Sequence, residues 1–208
     1  MADHPLSPTT IVPLEQRPAA TADPRKLLKI EHLLREHGRS VARTYFPTLR
    51  AGGLRDTPER RALLEAEHRD ALEAMLAGAA SMSTLEAISD ALGAALGAEP
   101  DEGVIEGCLA ALIDTRVRVP HNLPIYLEAL IYDLRDEGFP PAVVAAACQR
   151  IRRESKFLPE ISEVLTTCRE TLARYREQQQ RVSEALVARR KAERWLSDMT
   201  CTAQDPVQ

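Results

Sequence analysis

The stretch ISEVLTTCRETLARYREQQQRVSEALVARRKAERWL, residues 161–196, contains neither glycine nor proline. All nine glycines lie at or before Gly138, and Pro159 is the only proline between residues 142 and 205. Ile161, Leu165, Cys168, Leu172, Tyr175, Gln179, Val182 and Leu186 follow one another at alternating steps of four and three. That spacing is a heptad seam, with polar Gln179 at one seam position and charge setting in at Arg189. It predicts one long helix opened by Pro159. The protruding half should pair with a partner helix or a second copy, so a homodimer through the 161–186 seam is expected.

Upstream, helix signals recur and strand signals do not. No sustained period-two alternation and no Asn-Gly turn is present. Asp23-Pro24 and Thr57-Pro58 each pair a capping side chain with a proline suited to the first helical position. The first of these helices carries Leu27, Ile30, Leu34, Val41 and Tyr45; the second carries Leu64, Leu72, Met75 and Leu76. Ser83 and Glu86 are spaced as a capping box ahead of Leu85, Ile88, Leu92 and Leu96. Asp101 precedes Val104, Ile105, Cys108, Leu109 and Leu112. After the break at 116–124, a helix with Leu127, Leu130, Ile131 and Leu134 inward ends at Gly138. Pro140 and Pro141 start another, whose Val143, Val144, Ala147, Cys148 and Ile151 predict a one-face stripe.

The expected fold is therefore all-α: a multi-helix bundle with a long C-terminal helix and a disordered N-terminal tail. The tail, 1–24, holds five of the fourteen prolines. An acidic helical part follows over 25–98, then a helical unit over 99–197, and a second tail over 198–208.

The chain has 208 residues, 44% of them hydrophobic and 28% charged, with a net charge of -4. A globally basic nucleic-acid binder is disfavoured by that balance. No apolar run approaches the length of a membrane span, and the first residues do not read as a secretory signal. Cys108, Cys148, Cys168 and Cys201 form no close pair, which suits a reduced, cytoplasmic protein. Neither phosphate-cradling glycine pattern occurs. His4, His32, His37, His68 and His121 lack metal-site spacing, and no nucleophile elbow is present. No cofactor, metal or catalytic residue is expected, and these readings point away from an enzyme.

Charge is unevenly distributed. Residues 150–194 hold twelve Lys and Arg against seven Glu, a net of +5 that leaves -9 on the rest of the chain. Arg150, Arg152, Arg153 and Lys156 cluster at one turn, so DNA contact by a helix-turn-helix outline is one reading. The second helix of that outline begins EISEV, with two acids where a groove-reading helix presents donors. Aromatic residues are only 4% of the chain, which does not support a base-stacking platform.

The segment IYLEALIYDLRDEGFPPAVVAAACQRIRRESKFLPEISEVLTTCRE, residues 125–170, carries a further pattern. Its helix, Gly-Phe-Pro-Pro turn, helix, basic corner and helix present Tyr126, Ala129, Leu130, Leu134, Val144, Ala147, Ile151, Ser155, Lys156, Phe157, Pro159, Ile161, Glu163 and Val164 in order. This pattern resembles the small helical replication proteins of phages and prophages, of the helicase loader and inhibitor type. Glu160 stands where Ser or Thr often follows the proline. The resemblance implies a non-enzymatic DNA-replication accessory protein that binds a replicative helicase and regulates its loading or activity. Partner contact would then fall on Phe157, Leu158, Pro159 and Glu160. Two alternatives stand beside it: a DNA-binding regulator, and an inhibitor of another replication factor such as the sliding clamp.

Overall fold

The computed structural model describes residues 28–48, 57–116 and 122–202. Among them are seven α-helices and no strand: α1 (Lys29–Ala42), α2 (Pro58–Gly78), α3 (Met82–Gly97), α4 (Glu102–Ile113), α5 (Leu123–Asp136), α6 (Pro141–Glu154) and α7 (Ile161–Thr202). The helix start expected at Asp23-Pro24 and the tail at 1–24 lie outside the described residues. The tail expected over 198–208 is helical as far as Thr202, where α7 ends, and 203–208 lie outside the described residues.

Local chemistry sets most boundaries. The Thr57 hydroxyl accepts from the Arg60 backbone N–H at 3.3 Å, and Pro58 follows it. The Asp101 carboxylate accepts from the Val104 N–H at 2.9 Å. The cap of α3 is Ser81, whose hydroxyl accepts from the Thr84 N–H at 3.1 Å, not Ser83. Ala80 is buried just before it, so the chain must turn there and Ser81 takes the last non-helical position. Gly138 closes α5 at a φ of 66°, a left-handed conformation open to glycine at little cost.

One buried cluster runs through all the helices except α2. It includes Ile30 and Val41 of α1, Leu85, Ile88 and Leu92 of α3, Ile105, Leu109 and Leu112 of α4, and Leu130 and Leu134 of α5. The parts expected to divide at 98/99 thus share a core. At its centre is α6, in which every residue from Pro141 to Cys148 is buried. The expected one-face stripe is a helix covered all round, lying against α3, α4 and α7. Ala142, Ala145 and Ala146 make this possible, since their small side chains let neighbours approach the far side closely.

The long helix α7 is the spine. It packs on α3 and α6 most extensively, and also on α1, α2 and α5. The predicted seam is present but is consumed within the chain. Cys168, Tyr175 and Val182 are buried, joined by Val164, Thr171, Ala185 and Ala192. Leu165, Leu172 and Leu186 lie half-buried at its edge. Much of the seam expected to carry a homodimer through 161–186 is thus buried within the chain, against α1, α3 and α6. Arg189 continues the contact by donating to the Ala80 carbonyl at 2.7 Å. The half of α7 expected to await a partner finds one in the first helices of its own chain.

Candidate functional site

The corner between α6 and α7 spans residues 155–160. Its backbone is fixed from three sides. The Ser155 hydroxyl accepts from the Phe157 N–H at 3.2 Å, closing a local turn. Arg116, itself buried, donates through Nε to the Leu112 carbonyl at 3.0 Å and through Nη1 to the Ser155 carbonyl. It thereby ties the end of α4 to the end of α6. The Tyr126 hydroxyl of α5 donates to the Pro159 carbonyl at 2.8 Å. Burial raises the Tyr126 phenol to about 12, so it remains a donor throughout the neutral range. Glu163 then reaches back to accept from the Glu160 N–H at 2.9 Å. That is one half of a capping box; Glu160 supplies no hydroxyl for the other half.

On this frame Phe157 is 69% exposed. Glu160 is exposed, Leu158 half-buried and Pro159 buried. Of the four residues read as partner-binding, Pro159 serves the frame instead: it sits before the helix, which begins at Ile161, and its carbonyl is occupied by Tyr126. The Glu160 carbonyl accepts from the Val164 N–H at 3.2 Å, the first bond of the helix, which marks Glu160 as its cap.

The four cations read as a nucleic-acid site separate into two kinds. Arg150 is engaged by Glu154 at 3.1 Å and by Glu170 at 2.7 Å. Arg152, Arg153 and Lys156 are exposed and make no ion pair among the described residues. The remaining basic residues are largely committed too. Arg169 pairs with Glu137, Arg174 with Glu31, Arg190 with Glu86, and Arg181 with Glu177. Two of those acids, Glu31 and Glu86, come from the acidic part of the sequence, so some of the charge asymmetry is matched inside the molecule. The corner keeps three cations beside one exposed aromatic ring.

Two other groups have unusual surroundings. Cys108, Cys148 and Cys168 are buried free thiols. Burial pushes Cys108 up to about 11 and Cys168 to about 12, and raises Cys148 as well, so all three stay protonated and unreactive. His68 is buried between the rings of Phe46 and Trp195, at centroid distances of 5.6 and 4.8 Å. Its Nε2 has no hydrogen-bond partner. No group of side chains suited to hold a metal occurs among the described residues, and none of their helices is long and apolar enough to cross a membrane.

Comparison with family models, with curated proteins and with solved structures gave no match to this chain.

Sequence reasoning placed the corner but missed what holds it. Arg116 reads as a loop residue at the edge of a break. Only the packing of α4 against α6 turns it into a tie. Tyr126 is the aromatic of the quoted pattern, and its hydroxyl is the part that acts.

Proposed function

We propose that this chain is a docking protein of the replication machinery that acts by protein contact rather than by catalysis. Its partner on this reading is a replicative helicase, whose loading or activity it regulates. The observation that carries the docking surface is Phe157, 69% exposed beside three uncommitted cations on a corner braced by Arg116 and Tyr126. An exposed aromatic on a rigid frame loses little conformational entropy on binding, which is what an interface anchor requires. Flanking cations favour an acidic partner surface and speed encounter. The helicase as partner rests on the resemblance of residues 125–170.

The test titrates the full chain against the purified replicative helicase of the source cells. Binding should weaken at least about tenfold on Phe157→Ala, the cost of losing one anchor, with circular dichroism unchanged. Absence of helicase binding, or indifference to this substitution, overturns the reading. Binding to the sliding clamp instead discards the helicase and keeps the corner. Duplex DNA serves as the control ligand. Salt-dependent DNA binding abolished by Arg152→Gln, Arg153→Gln and Lys156→Gln together would move the DNA reading ahead.

A further inference from the structure

The outer face of α5 exposes two large apolar side chains among its polar ones. Leu127, Leu130 and Leu134 point into the core. Ile125, Ala129, Tyr132 and Asp136, spaced i, i+4, i+7 and i+11, form one row on the opposite side. Ile125 and Tyr132 are each 69% exposed, and Ala129 and Asp136 are exposed as well. From Ile125 to Asp136 the row extends about 16 Å at the rise of an α-helix. The hydrogen bond from Tyr126 to Pro159 sets its first turn against the corner.

Charge orders this surface. At the corner end stand Arg152, Arg153 and Lys156 without ion pairs among the described residues. At the far end Asp133 and Asp136 are likewise uncommitted, whereas Arg135 pairs with Glu102 at 3.0 Å and Glu137 with Arg169. Glu128, three residues after Ile125 and four before Tyr132, is exposed and borders the row on the flank away from Tyr126 and the corner. The two ends of the surface are therefore basic and acidic, with the apolar row, flanked by Glu128, between them.

We infer that the row on α5 continues the docking corner, and that its occupant is an amphipathic helix of the partner, acidic in its first turn and basic in its last. This rests on the docking reading above and names the chemistry that the site recognises. Helices of that charge order are the ones favoured by their own dipole. Such a helix matches the surface in one direction only, parallel to α5, with its first turn at Arg152, Arg153 and Lys156. Phe157, Ile125, Ala129 and Tyr132 would receive its apolar side chains, and small Ala129 in the middle admits the closest approach.

The test uses the full chain and two 18-residue alanine-rich helical peptides of identical composition. One carries Glu in the first turn, a leucine row, and Lys in the last turn; its twin has the two ends exchanged. By fluorescence anisotropy the acid-first peptide should bind, in a salt-sensitive manner, and Tyr132→Glu should weaken it at least about tenfold. The twin also forms a poorer helix, so preference alone is not decisive. The double reversal Arg153→Glu with Asp136→Lys should shift the preference toward the twin, which a difference in helicity cannot do. Equal binding of both peptides, binding of neither, or indifference to Tyr132→Glu overturns the inference. So does sedimentation that shows a dimer dispersed by Tyr132→Glu, because the occupant would then be a second copy. Helicase capture that needs Phe157 but not Tyr132 overturns this extension alone and leaves the docking corner standing.

Discussion

Over its first six turns α7 lies in a core shared with α1, α3 and α6, where Val164, Cys168, Tyr175 and Val182 are wholly buried. Near its far end it meets only a small cluster: Leu72 and Met75 of α2, Ala192, and the partly buried Phe46, Leu76, Ala79, Trp195 and Leu196. The larger core is mostly aliphatic, with Phe139 and Tyr175 its buried aromatic rings. The smaller one is aromatic, with His68 between two rings and the Lys191 ammonium 4.0 Å above the Phe46 ring. One continuous helix thus passes through two environments of very different depth. Helical continuity does not make stability uniform, because protection against opening follows the apolar contacts that each segment makes.

The sharpest way to break this comparison is Leu130→Ala in the large core. Leu130 is fully buried, and a leucine truncated at such a site costs about 3 kcal/mol. The urea midpoint should fall, and amide protection should drop in every helix. Leu72→Ala in the small cluster should cost about 2 kcal/mol, but locally. Amide protection over 58–78 should be lost while that of 141–154 is retained. Equal loss in both segments would show that the two clusters open as one unit.

Acid provides a third test. Burial, and then the neighbouring charge of Lys191, hold His68 below its ordinary value near 6.5. The folded state therefore binds fewer protons than the unfolded state just below that value. Stability is full above it and is lost as pH falls through the window beneath. Trp195 is the only tryptophan in the chain, so its fluorescence reports on this cluster directly. Between pH 7 and 5 it should shift as α2 loosens, and His68→Phe should flatten the response. Glu59 and Glu137 are held below their ordinary value of 4.5 and titrate in a lower window. The smallest effect expected is that of Lys191→Gln, about 0.5 kcal/mol for one exposed cation–π contact, read as a small fall in the Trp195 transition with the large core unmoved.

The sequence-based reading succeeds where the cause is local. Thr57, Asp101 and Gly138 act within one turn of themselves, and all three do what their residue types imply. Leu85, Ile88, Leu92, Val104, Ile105, Leu109 and Leu112 are buried as their spacing indicates. It fails where a distant segment decides. Thr171, Ala185 and Ala192 belong to the buried face of α7, yet nothing in a small or polar side chain announces that. The alanines of α6 conceal a helix buried on all sides for the same reason. The basic excess of residues 150–194 suggests an external partner, but Glu31 meets Arg174 across 143 residues and Glu86 meets Arg190 across 104. At the corner, the position of Phe157 is legible and its exposure is not, because exposure depends on Arg116 and Tyr126 holding the backbone from other helices.

The spine has a consequence for the order in which the molecule can be made. Because α7 follows every other described helix in the chain, α1 and α3 are synthesised long before the surface that covers them exists. The Tyr175 hydroxyl donates to the Glu31 carboxylate at 2.7 Å across 144 residues, and closing such a distant contact slows folding. Until α7 emerges, Ile30, Leu85, Ile88 and Leu92 remain exposed to other nascent chains. Ribosome-bound fragments ending before residue 161 should therefore be clients of holding chaperones, and release from them should follow completion of the last helix.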